Sequence, residues 1–63
     1  MDRDMIDACV TLVCESGCVR AREVMTALRE GGSTPETVRA TAPERMQILR
    51  ELEQIMAVYD ARP

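Results

Sequence analysis

The stretch Gly31-Gly32-Ser33-Thr34-Pro35-Glu36-Thr37-Val38-Arg39-Ala40-Thr41-Ala42-Pro43-Glu44 constrains the fold more than any other part of the sequence. A glycine pair commonly closes a helix, because glycine adopts the positive-φ geometry of a helix stop without strain. Residues 33–44 then read twice as the opening of a helix. Ser33 and Glu36 have the spacing of a capping box, in which each side chain satisfies a backbone N–H left free at the helix start. Thr41 and Glu44 repeat that spacing. Pro35 fits a first helical turn. Pro43 obstructs continuous i→i−4 hydrogen bonding and disfavours helical geometry at Ala42. The sequence thus predicts a short helix over residues 34–40, pinned to the core by Val38, its one strongly apolar residue. A kinked continuous helix is the alternative.

Longer helices flank this stretch. In residues 4–16, Ile6, Cys9, Val10 and Val13 follow the i, i+3, i+4, i+7 rule of a helix face. Asp2 or Asp4 can cap the start, and Gly17 can stop the helix in a left-handed conformation. A strand over residues 8–14 is the rival reading, on its β-branched content. Residues 19–30 carry a second stripe of Ala21, Val24, Met25 and Leu28. Residues 43–60 form the longest helix, with Ile48, Leu49, Leu52, Ile55, Met56 and Tyr59 in a stripe broad enough for a core and a partner. Leu49, Leu52, Met56 and Tyr59 alone follow the 3-4-3 step of a coiled-coil seam. The fold expected is all-α: a single domain over residues 1–63, with three main helices plus a short helix in a helix-turn-helix-like bundle. The chain has no Trp, no Phe, one Tyr, five Met and three Cys. So small a chain with so soft a core has marginal stability alone, which favours a homodimer formed through the C-terminal helix.

Enzymatic chemistry finds little to work with. There is no histidine, so no serine or cysteine has an imidazole partner, and the carboxylates are scattered over polar faces. The cysteines run C-x4-C-x3-C, whereas structural zinc sites favour C-x2-C pairs and four ligands. Cys9 reads as a small core residue, and Cys18, beside Gly17, as exposed. The glycine pair has no following Lys and no preceding strand, so it is not a phosphate loop. No metal, cofactor or small-molecule substrate is expected. The acidic N-terminus and the short, broken apolar run over residues 8–14 argue against a signal peptide or a membrane span. The chain reads as cytoplasmic, with reduced cysteines.

The net charge is −3, which excludes a uniformly basic nucleic-acid coat. Its distribution says more: residues 19–50 carry six Arg against four acids, between acidic ends. All eight basic residues are Arg. GC-rich codon use is the leading explanation for that, ahead of the fit of a guanidinium fork to phosphates and carboxylates.

Helix two, a glycine turn and a capped short helix make a helix-turn-helix pattern. "AREV" at 21–24 with Leu28 resembles the first motif helix, and "GGSTPETVRA" at 31–40 resembles turn plus recognition helix. The stretch from Ile6 to Arg39 resembles the N-terminal DNA-binding domain of plasmid KfrA-type regulators: a helix ending in Gly, a second helix, a Gly-Gly-Ser turn, then a Thr-Val or Thr-Ile pair. Here these are Gly17, residues 19–30, "GGS" at 31–33 and Thr37-Val38. KfrA-type proteins continue into a long coiled-coil tail, whereas this chain has one more helix. The resemblance implies a small bacterial transcription regulator of plasmid or phage type that binds double-stranded DNA. Ser33, Thr34, Glu36, Thr37 and Arg39 would face base edges and phosphates, and Arg20, Arg22 and Arg29 the DNA backbone. Leu49, Leu52, Met56 and Tyr59 would form the dimer interface. The alternative is a small helical inhibitor or adaptor that docks that apolar face on a partner protein.

Overall fold

The computed structural model describes residues 2–60. Three α-helices pack pairwise around one core: α1 (Arg3–Glu15), α2 (Cys18–Arg29) and α3 (Ala42–Asp60). Asp2 caps α1, its Oδ1 accepting from the Met5 N–H at 3.0 Å. The helix stops at Gly17, whose φ of 93° and ψ of 167° lie in an extended positive-φ region cheap only for glycine, rather than in the left-handed helical region. The Gly17 carbonyl then accepts the first bond of α2, from the Ala21 N–H.

The glycine pair ends α2 as expected. The Gly32 N–H reaches the Ala27 carbonyl at 2.9 Å and the Gly31 N–H that of Leu28 at 3.1 Å. These two bonds are the Schellman closure, and Gly31, at φ 82°, holds its positive-φ position.

The core holds the anticipated stripes: Ile6, Cys9, Val10 and Val13; Ala21, Val24, Met25 and Leu28; Ile48, Leu49, Leu52 and Met56. Ile6, Val13, Val24, Ile48 and Leu52 are fully enclosed, each contributing about 1.5–3 kcal/mol by burial. Residues 8–14, the candidate strand, lie wholly within α1. No strand occurs among the described residues, and none of their helices is long and apolar enough to cross a membrane.

The segment between α2 and α3 departs from expectation. Residues 34–40 do not form a helix of two turns; only Pro35–Thr37 is helical, as a single 3-10 turn. Val38 does not anchor it, for its side chain is 69% exposed. Thr34, Thr37 and Ala40 face the core instead. Their spacing of three is the period of a 3-10 helix, which puts every third residue on one side. The capping box belongs to Thr34 and Thr37, not to Ser33 and Glu36. Thr37 Oγ1 accepts from the Thr34 N–H at 3.0 Å and lies 3.1 Å from Thr34 Oγ1. Ser33 is exposed.

The second box forms as anticipated. Glu44 Oε1 accepts from the Thr41 N–H at 2.9 Å, and Thr41 Oγ1 from the Glu44 N–H at 3.4 Å. It launches α3 at Ala42, so this capping outweighs the preference of a residue before proline for extended backbone. Glu44 is buried, and its Oε2 accepts the Asp2 N–H at 2.8 Å, which ties the start of α1 to the start of α3. These hydrogen bonds hold the Glu44 carboxyl below its ordinary pKa, the Thr41 backbone bond first.

Candidate partner-binding groove

The arginines assigned to a DNA backbone are held by acids of the same chain. Arg20 grips Glu36 in a fork, Nε to Oε2 at 2.7 Å and Nη2 to Oε1 at 2.8 Å. This grip, more than any other influence, brings Glu36 down to a pKa of about 2, against the opposing pull of burial. Arg22 donates to Asp60 at 2.6 Å and Arg29 to Glu53 at 3.2 Å, both across an open cleft of about 430 Å³ between α2 and α3.

The residues assigned to base edges scatter. Thr34 and Thr37 are buried, Glu36 is half-buried against Arg20, and Ser33 and Arg39 alone stand in solvent. The structure therefore does not gather the eight predicted positions on one open surface. Leu49, Leu52 and Met56 are likewise not a free seam; each is at most 5% exposed within the core of its own chain. Of that quartet only Tyr59 faces outward.

A different set of residues comes together. Met5, Ala8 and Leu12 from the outer side of α1 meet Pro35 and Val38 in a groove of about 240 Å³. The 3-10 turn builds its far wall: with Thr34 and Thr37 turned inward, Pro35 and Val38 are left outside. Leu12 and Val38, 48% and 69% exposed, are large apolar groups held in water by this arrangement. Cys9, at the groove floor, belongs to the core; burial chiefly, with Glu44 adding, raises its thiol pKa.

The edge of the groove is charged. Glu36 lines it but is occupied by Arg20, whereas Arg39 lines it with no carboxylate partner among the described residues. Arg45, donating to the Ala40 carbonyl at 2.8 Å, and Arg50 also lack acidic partners there. Of the groove residues, Glu36 and Arg39 were among the sequence-level candidates, for DNA, whereas Met5, Ala8, Leu12, Pro35 and Val38 were not assigned to a site, though one signal exists: Leu12 falls off the Ile6–Val13 stripe and must face away from the core.

No family model, no curated protein and no solved structure matches the chain.

Proposed function

We propose that the chain is a small protein-binding module whose groove between α1 and residues 34–40 receives an amphipathic helix of a partner protein. One observation carries this reading: an apolar groove is edged by an arginine that has no carboxylate partner among the described residues. A helix with apolar side chains along one face and an acid beside them would cover Leu12 and Val38 and give Arg39 a counter-charge. This is helix-in-groove recognition. At about 240 Å³ the groove falls below the volume of a typical small-molecule pocket, which suits a few side chains of a helix face better than an enclosed ligand.

A library of displayed helical peptides tests the reading. The selected sequences should pair apolar anchors with Asp or Glu. Leu12→Asp and Val38→Asp, both at exposed positions, should weaken the selected peptides by about tenfold or more while leaving the helical spectrum unchanged. Arg39→Glu should shift selection toward basic peptides. Wild-type affinity in the Leu12→Asp, Val38→Asp double variant would defeat the proposal.

The duplex-DNA reading has less support, because a phosphate would compete with Glu36, Asp60 and Glu53 for Arg20, Arg22 and Arg29. It rests on Arg39, Arg45 and Arg50. Three such contacts would give a log–log salt slope of roughly −3. Duplex binding with that slope, lost in an Arg39→Ala, Arg50→Ala variant, would favour DNA over a protein partner. Dimerisation through α3 would have to use its exposed apolar residues, Met46, Val58 and Tyr59, since the inner part of its apolar face is occupied.

A further inference from the structure

Apart from the groove, the turn between α1 and α2 meets the last third of α3. A small cleft of about 130 Å³ opens there, lined by Cys14, Gly17, Cys18, Ala21, Ile55, Met56 and Tyr59. Three sulfur-bearing residues line it. Cys14 and Cys18 are exposed thiols, and Met56 is a buried thioether. The fold brings the two thiols to one place in a definite way: Gly17 turns the chain at its positive φ, and its N–H bonds the Cys14 carbonyl at 3.2 Å. Cys14 thus stands in the last turn of α1 and Cys18 opens α2. Cys9 takes no part, being packed in the core beside Met5, with Sγ 3.5 Å from Sδ.

We infer that this cleft is a binding site for a soft, thiophilic metal ion of the copper(I) class, held by Cys14 and Cys18 with Met56 as a third sulfur donor. The donor chemistry selects the ion. Thiolate and thioether ligands suit copper(I), whereas hard ions need oxygen ligands. No third cysteine or carboxylate among the described residues joins these sulfurs in a donor set, which leaves a tetrahedral zinc site short of ligands. Binding is a ligand substitution with no change of oxidation state: copper gives up the solvent or chelator ligands it arrives with, the two thiols lose their S–H protons to solvent, and three Cu–S bonds form, two to thiolates and one dative bond to the Met56 thioether. Ala21 and Ile55 give the cleft apolar walls, and the glycine between the thiols lets the turn adjust around the ion. Arg22 lies near enough to Cys18 for the two to interact electrostatically, although the Asp60 hydrogen bond dominates its environment.

The test is anaerobic titration of the reduced full chain with copper(I) against a chromogenic copper(I) chelator, with molecular mass followed in parallel. One ion per chain at unchanged mass is expected, with a rise in melting temperature as the folded state is ligated. Cys14→Ser and Cys18→Ser should each weaken binding by more than about a hundredfold, and Met56→Leu, which conserves core volume, by about tenfold. Cys9→Ala should leave the affinity unchanged. Unaltered affinity in the Cys14→Ser, Cys18→Ser double variant, one ion shared by two chains, or tighter binding of zinc than of copper(I) would each overturn the assignment. Unaltered affinity in Met56→Leu would remove the thioether from it. None of these readouts involves the groove at α1.

Discussion

Thr34-Pro35-Glu36-Thr37 and Thr41-Ala42-Pro43-Glu44 are two capping boxes a few residues apart, yet the first opens one 3-10 turn and the second a helix of 19 residues. Capping chemistry does not make the difference, since in each box the third residue's side chain accepts the cap residue's N–H at about 3 Å. What lies beyond the box does. After Glu44 comes an apolar stripe at helical spacing, Ile48, Leu49, Leu52 and Met56, whose burial supports every further turn. After Thr37 come an outward Val38, an exposed Arg39 and an inward Ala40, and then Thr41, whose N–H is claimed by Glu44. A cap permits a helix, and the apolar face beyond it decides the length.

The comparison can be broken most forcefully at Thr37. Thr37→Val keeps the shape but leaves the buried Thr34 N–H without its partner, while the Thr34 hydroxyl keeps its bond to Glu36, and urea unfolding should show a loss of about 1–3 kcal/mol. A variant as stable as wild type would mean that the turn does not depend on the box. Thr41→Ala removes the weaker arm of the second box and should cost less, about 0.5–1 kcal/mol, with α3 frayed at its start by hydrogen exchange; a larger loss than Thr37→Val would reverse the ranking of the two boxes.

Acid titration sharpens the same contrast. The Glu36 carboxyl, at about 2 in the folded chain, lies below its ordinary value near 4.5. The unfolded state therefore takes up the proton first on acidification. The stabilisation is complete above about pH 4.5 and is lost as pH falls from there toward 2. Water screening at Arg20, 36% exposed, reduces it to on the order of 1 kcal/mol. Glu36→Gln should flatten the pH dependence of stability in that window; an unchanged profile would place the titration elsewhere. Ser33→Ala, at the other hydroxyl with capping-box spacing, should shift stability by less than about 0.5 kcal/mol, and a capping-sized loss there would return the box to Ser33 and Glu36.

The three helices were legible because each carries its own periodic apolar face and its own punctuation at Asp2, Gly17, Gly31 and Thr41. The 3-10 turn was not, because apolarity pointed to Val38 while a pair of hydroxyls satisfied each other in the interior. A buried threonine looks like a surface residue until its partner is known, and the spacing of three among Thr34, Thr37 and Ala40 was the one available sign. The candidate site was less legible still. The pairs Arg20–Glu36, Arg22–Asp60 and Arg29–Glu53 join residues 16, 38 and 24 positions apart, so sequence alone could not tell a committed guanidinium from a free one. The groove exists only once α1 and the turn are brought together.

Glu44 receives the amide of Asp2, a partner 42 positions earlier. During synthesis on the ribosome, the start of α1 must therefore wait for a clasp made much later, and its inner side stays uncovered until α3 has followed. Ordering of the bundle comes only after α3 has left the exit tunnel, and a nascent chain that has emerged only as far as Gly32 would expose Ile6, Val10 and Val13 to any chaperone that reads bare apolar helix.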